Sequence, residues 1–309
     1  MCGYGEAALP PYLPETQKSV IDFLERSRKN LETAKMPFSI EEIVTSIDKI
    51  AQGNTAAKAA IDIALHDLLG KYLHKPVYEL LHYKKPQPKD TSVTISIGDL
   101  NLIPQKIIEL EEFSLLKVKL GSENDKEIIS AIRKNTDKSI VVDVNQGWKD
   151  KHFALDMIEW LHTQNVLYVE QPLEKSNFID MKWLTEKSPI PTIADESMQR
   201  LSDLNKIADC FNGINLKLMK CTGLYEGQKI ISEAKKKGLK INIGCMSESS
   251  CGIAAAAQLM SEADWIDLDG PMLIKNNPFT GINFANGKLV LPDSEGTGAE
   301  LLSQINFEK

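Results

Sequence analysis

Apolar residues repeat along this chain with two different periods, and the change from one to the other falls near residue 90. Residues 15–35 place Val20, Ile21, Phe23 and Leu24 along one side of a helix. Ser39, with Glu42 three residues on, has the spacing of a capping box and opens a second helix reaching about Ile50. Thr55 begins a third, TAAKAAIDIALHDLLGKYL, whose alanines allow another layer to approach closely. Ahead of these, Pro10, Pro11 and Pro14 break any period, so residues 1–14 read as irregular.

Short apolar runs then replace the helical spacing. They predict strands at 91–98, 115–120, 140–145, 165–170, 190–195, 213–219, 240–246 and 265–269. Helical segments are predicted between them at 124–135, 151–163, 176–187, 201–208, 224–237 and 249–261. Such alternation argues for an α/β fold with a closed parallel barrel. An open doubly wound sheet would usually carry a Gly-rich turn after its first strand, and none follows TSVTISIGD. GINFANGKLVLPD reads as a two-strand ribbon with an Asn-Gly turn. The expected organisation is a mostly helical piece over 1–89, a barrel over 90–271 and a C-terminal segment over 272–309.

The polar residues at the ends of these runs carry the chemistry. Lys117 and Lys119 sit in LLKVKLG, Asp143 and Asn145 in IVVDVNQGW, Glu170 ends VLYVE, Asp195 ends PTIAD, and Lys217 ends GINLK. Steps of 26, 27, 25 and 22 residues lead from Lys117 through Asp143, Glu170 and Asp195 to Lys217. A βα unit has about that length, so all fall at the same end of successive strands, where α/β barrels do chemistry. Three converging carboxylates repel one another and demand a cation; all-oxygen ligands favour Mg²⁺. Lys117 and Lys119 are two apart and share a face, and packed like charges lower the pKa of one amine toward that of a general base. Lys220 reads as a loop residue, and Asp267 and Asp269 as a same-face pair on the last strand, suited to a substrate ammonium or to a structural Lys or Arg. None of the five histidines falls at a strand end.

Bulk properties narrow the class. The chain has 309 residues with a net charge of −7, and no basic stripe suggests nucleic acid. Five cysteines without a CxxC pair fit a reducing compartment. The start has neither the basic nor the apolar region of a signal peptide, and no apolar stretch reaches the length of a membrane span, so the expected location is the cytoplasm.

The ordered set KVK (117–119), VDVNQGW (142–148), VEQPL (169–173), ADES (194–197), INLKLMKCTG (214–223) and IGCMSES (243–249) resembles the muconate-lactonizing subgroup of the enolase superfamily, over about residues 3–290. The resemblance implies a (β/α)₇β TIM-like barrel with an α+β capping domain, to which the C-terminal segment returns. It implies Mg²⁺ on Asp143, Glu170 and Asp195, with Asn145 and Glu196 supporting them. Lys119 and Lys217 would be the two acid/base residues and Lys117 would tune Lys119. The implied chemistry is removal of a proton next to a carboxylate, giving an enediolate held by Mg²⁺. DLDGP is similar to the dipeptide epimerases, in which the aspartates matching Asp267 and Asp269 bind a dipeptide's ammonium, most commonly in Ala-Glu peptides from peptidoglycan. Cys245 and Ser247 fall at positions implied to line the substrate site. Family members often form oligomers.

Members of the family begin with about fifty more residues, a three-stranded meander with a mobile loop, whereas this chain opens at GYGEA, which resembles the end of the third strand. The expectation is therefore a partial capping domain. Other reactions of the subgroup, cycloisomerisation, o-succinylbenzoate synthesis and N-acylamino-acid racemisation, remain alternatives, as does a Mg²⁺-binding remnant without turnover.

Overall fold

Eight parallel strands follow one another around a barrel in strict chain order. The structure, a computed structural model, describes residues 1–9, 13–95 and 99–302. The expectations for Pro10, Pro11, the end of the first strand (96–98) and residues 303–309 lie outside the described residues.

Three helices come first: α1 (Gln17–Glu32), α2 (Ile40–Asp48) and α3 (Thr55–Leu73), then a single turn, α4 (Val77–Leu80). Val20, Phe23, Ile43, Ile47, Ala57, Ile61 and Leu65 close a small core among α1, α2 and α3. The predicted capping box at Ser39 is only half formed. Ser39 Oγ accepts from the Glu42 amide at 3.3 Å, while the Glu42 side chain stays in solvent, where hydration competes with a return bond. The reciprocal box is at α1, between Thr16 and Ser19. Asn54, ahead of α3, is left-handed (φ 51°) and caps nothing with its side chain. Glu15 does so instead, accepting from the amides of Ala56 (3.0 Å) and Ala57 (3.2 Å).

A two-residue strand, β1 (Lys89–Asp90), leads into the barrel strands. These are β2 (Ser92–Ile95), β3 (Leu115–Lys119), β4 (Ser139–Asp143), β5 (Val166–Glu170), β6 (Thr192–Ala194), β7 (Gly213–Leu216), β8 (Lys240–Gly244) and β9 (Trp265–Asp267). Between them run α5 (Ile103–Glu109), α6 (Asp125–Arg133), α7 (Lys151–Thr163), α8 (Phe178–Lys187), the short α9 (Leu204–Ile207) and α10 (Leu218–Cys221), α11 (Leu224–Lys236) and α12 (Ser250–Ala257). Strands covered by helices outside and side chains inside read as nearly continuous apolar runs, which is why IVV, VLYV and INI betray them. A parallel bridge between Thr91 and Ile266 joins the first strand to the last. The last strand stops at Asp267, so Asp269 lies in the turn beyond it and not on the strand as expected.

The remaining chain forms β10 (Phe279–Thr280), β11 (Asn283–Ala285), β12 (Lys288–Val290) and β13 (Glu300–Leu301). The ribbon β11–β12 turns at Asn286 and Gly287, both with positive φ (51° and 72°), and β1 adds a third strand to it. The C-terminal segment then returns to α3, where buried Asp67 accepts from the Thr297 amide at 2.9 Å. Two more carboxylates from the N-terminal part cap barrel helices. Asp62 of α3 accepts from the Leu224 amide at the start of α11, and Glu6 accepts from the amides of Ser249 and Gly252 at the start of α12.

Candidate active site

Side chains alternate along a strand, so residues two apart face the same way. Lys117 and Lys119 on β3, Asp143 on β4 and Glu170 on β5 all face the barrel axis at the C-terminal end of the strands. The register sets Lys119 beside Asp143 and Asp143 beside Glu170. Asp195 follows directly on β6, and Lys217 on β7.

One oxygen from each of Asp143, Glu170 and Asp195 lies within 4.8 Å of the others, and all three residues are buried. Lysines surround them. Lys117 Nζ stands 3.1 Å from Asp143, 3.2 Å from Glu170 and 2.6 Å from Asp267. Burial works against its charge, but Asp267, Glu170 and Asp143 outweigh it and hold the amine well above its usual range. Lys119 is partly exposed and donates to Asp143 Oδ2 (2.6 Å) and Asn145 Oδ1 (3.1 Å). Lys217 Nζ lies 2.8 Å from Asp195 Oδ2.

The three ligand candidates differ electrostatically. For Glu170, burial and then the charge of Asp143 push the carboxyl up to about 8. For Asp195, burial is overcome by Lys217 and Lys220, which hold it well below the carboxylate range. For Asp143, Lys117 and Lys119 likewise outweigh burial and lower it. An all-oxygen, buried, mutually repelling set of this size fits a hard divalent cation.

Both halves of the chain match known families. Residues 105–305 match the enolase C-terminal domain-like family, and residues 2–82 match the mandelate racemase/muconate lactonizing enzyme N-terminal domain. The chain belongs to the enolase superfamily. An L-Ala-D/L-Glu epimerase of Bacteroides thetaiotaomicron is 47% identical over 297 residues, covering 96% of this chain and 77% of that protein. The dipeptide epimerase of Cytophaga hutchinsonii, solved with Mg and D-Ala-L-Val, superposes with a TM-score of 0.91 at 26% identity, covering 98% of this chain and 85% of that one. The dipeptide epimerase of Enterococcus faecalis, solved with Mg and L-Leu-L-Tyr, gives 0.89 at 32%, covering 96% and 87%. This enolase-superfamily chain is a Mg²⁺-dependent isomerase of the racemase and epimerase kind, and Asp143, Glu170 and Asp195 form a buried acidic cluster that could hold the ion.

The remaining predicted residues are distributed around that centre. Asn145 bridges Lys119 and Glu196, donating to Glu196 Oε1 at 3.2 Å. Burial and then Asp195 raise the Glu196 carboxyl. Asp267 is occupied on both oxygens, by Lys117 and by Ser92 Oγ (2.6 Å). Asp269, buried, accepts from the Thr94 amide at 2.7 Å, and burial followed by Asp267 pushes it up to about 6. Cys245 is buried, its thiol pushed well up by that burial and then by Asp269, whereas Ser247 is exposed in the loop before α12.

Three partners went unread in the sequence, and a fourth was expected in a loop. Lys220 is not a loop residue: it is 1% exposed on α10 and donates to Asp195 Oδ1 (2.5 Å), Asp195 O (2.6 Å) and Asn215 O (3.1 Å). The turn of α10 directs it back beneath Asp195, which linear spacing does not reveal. Asn215 donates to Glu170 Oε1 at 2.8 Å; its position two before Lys217 was the available signal. Gln171 accepts from the Asp195 and Ser197 amides and so ties the end of β6 to that of β5. Ser92 carried no signal beyond strand parity.

Proposed function

We propose that this enzyme epimerises dipeptides, most commonly of the Ala-Glu type derived from peptidoglycan, by a 1,1-proton transfer between Lys119 and Lys217. The observation that carries the reading is the placement of the lysines. β3 and β7 are four strands apart in an eight-stranded barrel, so the amines approach the carboxylate triad from opposite sides, one at Asp143 and the other at Asp195. In each direction one lysine is neutral and takes the α-proton, while the other is an ammonium and gives one to the opposite face. Bound Mg²⁺ supplies Lewis-acid stabilisation of the negative charge that develops on the substrate carboxylate. Lys117 fixes the positive charge at the floor of the site, and Asn145 with Glu196 orients Lys119. Asp269 is assigned to the substrate ammonium, with Asp267 acting mainly through Lys117; Cys245 and Ser247 belong to the substrate wall. No helix among the described residues is long and apolar enough to cross a membrane.

The test is a set of dipeptides incubated with Mg²⁺ in D₂O and read by mass spectrometry and chiral chromatography. Lys119→Ala and Lys217→Ala should each slow epimerisation on the order of 10²–10⁴-fold. Each should still exchange the α-proton of the one diastereomer that faces the lysine left in place. Unimpaired epimerisation by either variant, or no exchange of any dipeptide by the folded parent, would overturn the reading.

A further inference from the structure

Below the ring of charged residues the barrel interior is half apolar and half polar. Leu115, Val141, Tyr168 and Ile193 lie two residues before Lys117, Asp143, Glu170 and Asp195, so they face the axis one layer down, where they form one apolar cluster. On the other side of that layer the inward positions are Asn215, two before Lys217, and Asn242, its register partner on the next strand. Tyr168 reaches across to β9, where its ring lies 4.9 Å from that of Trp265, the register partner of Asn242.

Both asparagines and Tyr168 are 0% exposed. The hydroxyl of Tyr168, Oδ1 of Asn215 and both polar atoms of the Asn242 amide have no hydrogen-bond partner among the described protein atoms. Buried polar atoms are rarely left so, because desolvation costs more than the bond returns unless a partner is present. Asn215 can turn inward here because Gly244 opposite has no side chain; a Cβ there would lie 2.3 Å from Asn215 Oδ1.

We propose that this layer is a built hydration site, holding one or more ordered waters that bridge Asn242 to Tyr168 and Asn215. The chemistry of the walls selects a neutral ligand. The Lys117 ammonium in the layer above opposes a cation, and the Glu170 and Asp267 carboxylates it pairs with oppose an anion. A hydroxyl and two amides offer both donors and acceptors, which is what a buried water uses. The water has a consequence for the metal site. By donating to Asn215 Oδ1 it fixes which way that amide points, so that Nδ2 faces Glu170 Oε1.

A crystal structure resolving ordered solvent, together with oxygen-17 magnetic relaxation dispersion in solution, tests this on the intact protein. Density is expected within hydrogen-bond reach of the Asn242 amide and of at least one of Tyr168 Oη and Asn215 Oδ1. The count of long-lived waters should fall by at least one in Asn242→Leu. Should that variant not fold, Tyr168→Phe keeps the ring against Trp265 and removes only the hydroxyl; its crystal structure should show the water displaced or lost. A dry layer in the parent crystal structure, or an unchanged count and unchanged density in a folded variant, would overturn the proposal.

Discussion

Lys117 shows how one side chain holds a site together. Its ammonium faces Asp143, Glu170 and Asp267 at 3.1, 3.2 and 2.6 Å in a setting only 3% exposed. Removing one partner of a buried ion pair typically costs about 3–5 kcal/mol, because the remaining charge has no water to return to. Lys117→Met should lower the thermal midpoint correspondingly in EDTA, with part of the loss recovered on adding Mg²⁺; an unchanged midpoint would show that the carboxylates find other partners. Glu248 presents the opposite case. It is 1% exposed, accepts from the Met246 amide at 2.8 Å, and burial followed by the nearby Glu6 pushes its carboxyl from 4.5 up to about 8. The folded protein therefore binds this proton more tightly than the unfolded chain, and this group's contribution to stability falls as pH rises from about 4.5 to 8. Glu248→Gln keeps the acceptor and removes the titration. Chemical denaturation should find it more stable than the parent by on the order of 4 kcal/mol at pH 8, with the gap closing by pH 4.5. A pH-independent gap would assign the effect to packing.

Secondary-structure elements depend here on caps delivered from far along the chain. The start of α12 is held by Glu6, more than two hundred residues earlier, which accepts from Ser249 N (2.8 Å), Ser249 Oγ (2.6 Å) and Gly252 N (2.9 Å). The loop carrying Cys245 and Ser247 enters that helix, so its anchoring depends on the same carboxylate. Glu6→Ala should cost about 1–2 kcal/mol, as lost caps do, and raise amide hydrogen exchange over residues 245–253. Protection there equal to the parent's would show that Ser249 suffices as a cap. The strands and long helices were legible locally because burial imposes a period on them. Ser39 caps α2 as its spacing indicates, without the return bond from Glu42, whereas the caps supplied by Glu6, Glu15 and Asp62 went unread, since a carboxylate arriving from elsewhere leaves no local spacing.

At the scale of the whole molecule, the acidic triad gathers its carboxylates from the ends of three strands, so a cation bound there would link β4, β5 and β6. At a free Mg²⁺ concentration one hundred times its dissociation constant, linkage adds about 2.7 kcal/mol to stability. Calorimetry should show that gain in the parent and its loss in Asp195→Asn; an equal gain in both would place the ion elsewhere. The repeat of charged residues at apolar run ends was enough to foretell the barrel and the gathering of Asp143, Glu170, Asp195, Lys119 and Lys217 at one end of it, because chain order and strand parity dictate which side chains share the mouth. Parity alone could not place Lys220 beneath Asp195, divide Asp267 from Asp269, or seat Asn215 against Gly244. Those contacts join residues whose distance along the chain says nothing of their distance in space. They were decided by closure of the barrel, which brings the last strand against the first and turns α10 under the site.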